Sequence, residues 1–453
     1  MVAILEELDP PSDRRVALRV TNDALRQLRS GHPWLFDRSI TSIKNAGKAG
    51  DLAVVFDGER RFAAIGLYDP RSPIRVRILH VGRPTLIDGD WLADRLAEAV
   101  DRRRSLFGTS RGIDEADGGP VDHDHAQLTT AYRLVHGEND GLPGLVVDWY
   151  SGSAVVKLYT AAWIPWLPSL VTGLSVATQR SDHQEGPGVM ERVVLRLGRV
   201  VAGSAPPGIV DGVVLVGPTL DGPVEFFENG LPFTADIAHG HKTGHFLDQR
   251  DNRSLVGRLV GEAVGSGGRH RVLDVFSCTG GFAAHAAAAG ATELTLVDVS
   301  ERALELARHH VEGAVGSTPQ RSGTVNGRPE VVTVAGDAFE VMADLARAGR
   351  QFDTVVVDPP SFANRANHVD RALAAYHRSA RLAALLVAPH GLLFHASCSA
   401  RVTEASFLNQ IRRGIADANR EASVLTVTGH PVDHPIGFVH GTYLKAVALR
   451  MTS

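Results

Sequence analysis

Two cysteines occur in this chain of 453 residues, and one is placed to do covalent chemistry. Cys398 lies in Ser397-Cys398-Ser399, directly after the apolar run GLLFHA. A thiolate there could add to C6 of a cytosine and make C5, ordinarily a poor carbon nucleophile, enamine-like. Methyl transfer to C5 and loss of the C5 proton would then release the sulfur. The same position also suits a small, inert, buried thiol. The preceding strand candidate, FDTVVV, ends in Asp358-Pro359-Pro360-Ser361-Phe362. Two prolines after an acid stiffen the turn and hold Asp358 and Phe362 in place. Phe362 could stack on a flat base while the carboxylate and the carbonyls around Pro359 and Pro360 face its polar edge. Asp358 could protonate or hydrogen-bond ring N3 and so stabilise a C6 adduct.

A second constellation precedes it. The strand candidate RVLDV carries Asp274 and runs into Ser277-Cys278-Thr279-Gly280-Gly281, followed by an Ala-rich helix. A glycine turn at the carboxyl edge of a sheet lets backbone approach a ligand closely. The turn is not G-x-G-x-x-G, which removes the main signal for a dinucleotide. S-adenosyl-L-methionine has no pyrophosphate to cradle, so the looser loop suits it as cofactor. Asp298 ends the next strand about 20 residues after the loop and could accept from both ribose hydroxyls. Asp337, after the third strand, could meet the adenine amino group, with Phe339 against the ring. A strand-end aspartate can equally be a helix cap; three at successive strand ends are a more specific signal. Cys278 is a competing nucleophile candidate, but it falls where the methionine end of the cofactor is expected, which favours a packing role.

The elements needed to position these residues are legible as three blocks. Residues 14–80 read as short alternating strands with one helix, NDALRQLRSG, and suit a small barrel. Residues 81–235 open with the amphipathic segment DWLADRLAEAVDRRRSLF and continue with strand candidates GLVVDWY, AVVKLY, ERVVLRL and a hairpin around Asn229-Gly230. Residues 236–453 alternate strand and helix, ending in SVLTVTG and TYLKAVALRM with no helix pattern between them. That makes seven strand candidates and implies a mostly parallel sheet covered on both faces, an α/β fold. TSRGIDEADGGPVDHDHAQ and EGAVGSTPQRSGTVNGRPE have the composition of surface loops.

Bulk properties limit the function classes. Apolar residues make up 44% and charged residues 22%, an ordinary globular balance. No window approaches the roughly 20 apolar residues of a membrane span, and the N-terminus lacks the pattern of a secretory signal. Two widely separated cysteines suit a reducing compartment, so a cytoplasmic protein is expected. The net charge of −4 does not advertise nucleic-acid binding. Arg14, Arg15, Arg19, Arg26, Arg29, Arg38, Lys44 and Lys48 nonetheless crowd the first block, and a local basic surface can bind phosphates on an acidic molecule.

At this point the residues resemble a family. The segments HGHKTGHFLDQRDNR (239–253), DVFSCTGGF, VDVSERALELAR, DPPSF, SCS and GTYLKAVALR are similar to those of the PUA-domain-containing 23S ribosomal RNA 5-methylcytosine methyltransferases. YRLVHGENDGLPGLVVD and GHPWLFDRSI carry the resemblance into the other blocks, so it covers nearly the whole chain. It implies a PUA barrel, then a small α+β domain, then a Rossmann-like methyltransferase domain with a terminal antiparallel hairpin. It also implies ribosomal RNA as partner, Cys398 as nucleophile and Asp358 as its assistant. Phe246, Asp248 and Arg250 become candidate cofactor contacts and Lys242 a substrate contact. Loops near 108–126 and 316–329 look like insertions relative to the family. The sequence leaves a homodimer open.

Rival readings stay open here. An N-methyltransferase acting on an exocyclic amine could use the same acid-Pro-Pro-aromatic turn without Cys398. A non-catalytic RNA-binding assembly factor could retain the fold, and a small-molecule methyltransferase would leave the first block without a purpose. His239, His241 and His245, like His123 and His125, are suggestive of zinc, but no C-x-x-C accompanies either group, and no metal is expected.

Overall fold

The computed structural model describes residues 3–106, 128–179, 188–265, 268–317, 328–363, 366–438 and 441–452. The stretch 108–126 and most of 316–329, expected to be insertions, lie outside the described residues, as do His123 and His125. The chain divides into two compact units. One comprises Met1–Phe227, Thr234–Leu247 and Val432–Gly441; the other comprises Glu228–Phe233, Asp248–Pro431 and Thr442–Ser453.

In the first unit, six strands form one sheet in the order Trp34–Phe36, Ile74–Val81, Phe62–Tyr68, Leu52–Phe56, Val16–Val20, Ile40–Lys44. The two edge strands are neighbours in the chain, joined only by the turn Asp37–Ser39. Laid flat, six strands would hold their edges about 24 Å apart, whereas the four steps from Phe36 to Ile40 reach at most about 14 Å. The sheet must therefore curl until its edges meet, which gives the barrel. Leu18, Leu25, Leu28, Leu35, Val55 and Val76 fill its interior. The helix Asn22–Arg29 contributes Leu25 and Leu28 from one face, and Thr21 caps it by accepting from the Ala24 N–H.

A five-stranded sheet follows in the order Val214–Val216, Arg192–Leu197, Ser153–Leu158, Leu145–Tyr150, Ala131–His136. Helices Gly89–Asp101 and Leu167–Gln179 pack together. Gly173 permits their approach, since a Cβ there would lie 2.8 Å from Leu96 Cδ1. One buried cluster joins Leu67 and Leu79 of the barrel to Leu96, Trp149, Trp163 and Leu170. Strands Trp34–Phe36, Ile40–Lys44, Ala131–His136 and Val214–Val216 and helix Leu167–Gln179 go beyond the elements expected from sequence. Three-residue strands carry too little pattern. Ala131–His136 is buried on both faces, so it shows no alternation.

The second unit holds a seven-stranded sheet: β1 (Arg271–Val275), β2 (Glu293–Asp298), β3 (Glu330–Ala335), β4 (Phe352–Val357), β5 (Val387–Ser397), β6 (Ala422–Thr428) and β7 (Lys445–Met451). Their order is β3-β2-β1-β4-β5-β7-β6. β1 to β5 pair parallel, and β7 runs antiparallel between β5 and β6. The helices are α1 (Arg250–Val264), α2 (Gly281–Ala288), α3 (Glu301–Ser317), α4 (Ala338–Arg347), α5 (Val369–Leu386) and α6 (Glu404–Asp417). α2 packs on α1 and α3, and α5 on α4 and α6, which gives the sheet a helical layer on each face. This is the Rossmann-like α/β fold expected from strand–helix alternation, closed by the antiparallel pair. Strand order reverses between β1 and β4, and ligands of open parallel sheets bind at such a point, outside the carboxyl ends of the strands. No helix among the described residues is long and apolar enough to cross a membrane.

Candidate active site

The loop after β1 is held in an unusual backbone conformation. Phe276 and Cys278 both take positive φ, at 63° and 46°, and Gly280 sits at 73°. Non-glycine residues there cost strain and persist only where neighbours enforce them. The enforcing contacts are visible. Ser277 N–H donates to Val297 O at 3.0 Å and Gly280 N–H to Ser277 O at 2.7 Å. Cys278 N–H donates to Asp298 Oδ2 at 2.9 Å. His310 Nδ1 donates to Thr279 O at 2.8 Å. A Cβ on Gly280 would stand 2.6 Å from Ala307 Cβ, so only glycine fits against α3.

Asp274 is buried, and burial pushes its carboxyl up to about 8, with Asp358 and Asp298 pushing the same way and the Ala283 N–H pulling it down. Its Oδ2 accepts from Ala283 N–H at 3.2 Å. Its Oδ1 and the hydroxyl of Ser277 are buried without a hydrogen-bond partner among the described residues. Unsatisfied buried polar atoms are uncommon in native proteins and call for a ligand or water. Asp298 also accepts from Ser300 N–H at 3.0 Å, so each of its oxygens carries one backbone bond and keeps a lone pair. Asp337 is exposed and caps α4 through Oδ1, accepting from Phe339 and Glu340 N–H. The rings of Phe276, Phe339 and Phe362 cluster, with centroids 6.1 to 6.4 Å apart. Arg378 lies 4.8 Å over Phe339.

Asp358 and Cys398 end neighbouring parallel strands, where Val357 pairs with His395. Pro359 is buried and Pro360 exposed. Gln249 Nε2 donates to Asp358 Oδ1 at 2.7 Å. Asn252 Nδ2 donates to Gln249 Oε1, and Thr428 Oγ1 to Asn252 Oδ1, each at 2.6 Å. That chain fixes which end of the Gln249 amide meets the carboxylate. On the other side, the Ser361 hydroxyl bonds the Ser399 hydroxyl at 3.1 Å, and Tyr376 OH bonds Ser399 Oγ at 2.9 Å and accepts from Ser397 Oγ at 2.7 Å. The turn bearing Asp358 and the loop bearing Cys398 are thus one hydrogen-bonded structure. Cys398 is partly exposed, not sealed in the core. Burial raises the Cys278 thiol, and Asp298 adds to the effect, which disfavours a thiolate there.

The remaining expected residues are dispersed. Asp248 and Arg250 are buried in the second unit; Tyr443 OH donates to Asp248 Oδ2 at 2.8 Å and Arg250 pairs with Asp251 at 3.0 Å. Lys242 and Phe246 belong to the first unit, where the ammonium lies 4.1 Å over the ring. Among the described residues no group of three or more His, Cys, Asp or Glu is placed to hold a metal.

Gln249, Tyr376, Arg253 and Lys445 were not singled out from sequence. Gln249 and Arg253 lie inside the quoted segment DQRDNR. Arg253 pairs with buried Glu228 at 2.5 Å, and His285 bonds Glu228 at 3.2 Å. A lysine within the apolar run LKAVALR was a usable signal for Lys445.

A loop of this kind at the reversal of a parallel sheet defines the class of S-adenosylmethionine-dependent methyltransferases, and a family model of that description matches residues 133–427. A model described as a PUA-like domain matches residues 18–80. Similar proteins include a ribosomal RNA large subunit methyltransferase of Deinococcus radiodurans, 40% identical over 96% of this chain and 98% of the relative. Another is ribosomal RNA large subunit methyltransferase I of Tolumonas auensis, 32% identical over 94% of this chain and 97% of the relative. A solved protein from Streptococcus mutans shares the fold, with a TM-score of 0.71 at 20% identity over 96% of this chain and 99% of that one. The chain belongs to the family of ribosomal RNA large subunit methyltransferases that carry a PUA-like domain ahead of the catalytic one. Its cofactor is S-adenosylmethionine.

Proposed function

We propose that this chain methylates C5 of a cytosine in large-subunit ribosomal RNA, with Cys398 as the nucleophile. The observation that carries the reading is the hydrogen-bonded tie between the Asp358 turn and the Cys398 loop. A C5 enzyme must hold an acid and a sulfur on one pyrimidine at once, whereas an exocyclic N-methyltransferase needs only the turn. The ribosomal substrate follows the names of the relatives, which match along nearly their whole length. The PUA-like barrel, with exposed Arg19, Arg26 and Arg29, is the expected RNA contact. Cytoplasmic action goes with that substrate.

S-adenosylmethionine supplies an electrophilic methyl on a sulfonium. The unsatisfied Asp274 Oδ1 and Ser277 hydroxyl fit its polar methionine end. Thr279 and Gly280 would line the approach, Asp298 has lone pairs left for the ribose, and Asp337 and Phe339 are assigned to the adenine. Asp248 and Arg250 are assigned to the cofactor by the family resemblance. Pro359, Pro360 and Phe362 would frame the target base. Lys242 and Phe246 are assigned to substrate and cofactor by the family resemblance alone. In the reaction, Cys398 Sγ bonds C6 and the displaced electron pair moves toward N3, where Asp358 holds the proton. The C5 that the Cys398 adduct makes nucleophilic would accept the methyl that bound S-adenosylmethionine supplies. A base removes the C5 proton, the C5–C6 double bond reforms, Cys398 leaves as thiolate, and the N3 proton returns to Asp358.

The test is Cys398→Ala, assayed with large-subunit RNA and radiolabelled donor, with nucleoside mass spectrometry of the product. Turnover should vanish while cofactor affinity stays within about threefold. Retained turnover, or a methylated amine in place of 5-methylcytosine, would refute the reading.

A further inference from the structure

Lys445 is almost fully buried, at 3% exposure, and opens β7 directly opposite Ser397. Opposite residues of an antiparallel pair project from the same face. Its ammonium donates at 2.6 Å to the carbonyl of Ser399 and at 2.6 Å to that of Val402. These carbonyls bound the turn that follows Cys398, which closes on itself through Val402 N–H to Ser399 O at 3.2 Å. Two of the three ammonium hydrogens are thereby used, which leaves the third. A neutral donor would serve to staple two carbonyls. A lysine there also places a positive charge in a poorly solvated position, which is costly unless a negative charge answers it. Nothing in the mechanism so far uses that charge.

We infer that Lys445 is a positioning residue for Cys398: it staples the turn behind the cysteine and sets a buried positive charge beside its sulfur, which favours the thiolate. The inference rests on the role given to Cys398 above. Burial draws the ammonium down to about 8, and the negative charges of Cys398 and Glu404 oppose that. Charge coupling between lysine and thiolate acts in both directions, so what Cys398 does for the ammonium the ammonium does for the sulfur. The other titratable groups in or beside this loop include Arg401, which carries a positive charge within the turn itself but is exposed and screened by solvent, Tyr376 of α5, which burial holds above its ordinary value, and Asp358. Glu404 is exposed at the start of α6 and is screened by solvent.

The experiment follows the alkylation of Cys398 by iodoacetamide against pH on the full chain, resolved from Cys278 by peptide mass spectrometry. In the wild-type chain Cys398 should react with an inflection below the ordinary thiol range near 8.5 and below that of Cys278. Lys445→Gln, which keeps one donor and loses the charge, should raise the inflection by at least one unit, slow alkylation at pH 7.5 about tenfold, and lower kcat in parallel. Its KM for RNA should not change, and Lys445→Arg should restore the wild-type inflection. An unchanged inflection in folded Lys445→Gln overturns the inference. If that variant fails to fold, a wild-type inflection at or above that of Cys278 does so instead. These readouts need no turnover. A shifted inflection with an active Cys398→Ala variant would sink the C5 chemistry while leaving the lysine–thiolate coupling intact.

Discussion

Replacing Asp274 by asparagine should stabilise the cofactor-free protein at neutral pH, and the gain should grow with pH. Asn keeps an oxygen to accept the Ala283 N–H, and it never ionises. The wild-type carboxyl stands at about 8 in the folded chain against an ordinary 3.8. An acid whose folded value is raised holds its proton more tightly when folded. Its contribution to stability is full below about pH 4 and is lost as pH climbs through 8. Each pH unit inside that window is about 1.4 kcal/mol, so between pH 5 and 7.5 the wild type should lose about 3 kcal/mol relative to the variant. All five tryptophans, at 34, 91, 149, 163 and 166, lie in the first unit, so their fluorescence does not report on Asp274. Urea-dependent amide exchange of peptides covering β1 and β4 reads the correct unit. A gap between variant and wild type that widens by less than about 1 kcal/mol over this range would refute the burial argument. The same substitution should weaken S-adenosylmethionine binding by at least tenfold. A carboxyl kept unsatisfied at a stability cost is then explained by its ligand.

Two further perturbations test the scaffold. Gly280→Ala should reduce cofactor affinity at least tenfold by calorimetry, because the added Cβ meets Ala307 and the backbone is at φ 73°; unchanged affinity would mean that the loop moves freely. Arg253→Met removes the guanidinium from the fully buried Glu228 carboxylate and leaves it His285 as a weaker partner, so it should cost the second unit about 3–5 kcal/mol in amide exchange, with much of that returned by adding Glu228→Gln.

Much of the catalytic unit was legible in the chain itself. β1 to β5 are each followed by a helix pattern, and the central strands β1, β4 and β5 are largely apolar because strands buried on both faces of a parallel sheet must be, whereas β3 at the sheet edge has no buried residue. That regularity placed Asp274, Asp298, Asp358 and Cys398 at strand ends before any coordinates. The barrel was harder to read: its edge strands Trp34–Phe36 and Ile40–Lys44 are short, and their existence follows from sheet closure, not from local pattern. Helix Leu167–Gln179, rich in Val, Thr, Ser and Gly, is held by packing against Gly89–Asp101 where intrinsic propensity is weak.

By itself, the sequence determined the family, the order of strands and helices, and which residue types stand at the ends of the parallel strands. Only tertiary structure decided how those residues are supported. Gln249 reaches Asp358 across 109 positions, and Lys445 reaches Ser399 across 46. Such partners are chosen by which chain segments the sheet brings together, and no local spacing encodes that. The same holds for Asp274, whose carboxyl is ordinary in the sequence and is raised to about 8 by the desolvation that folding imposes, with Asp358 and Asp298 adding to it.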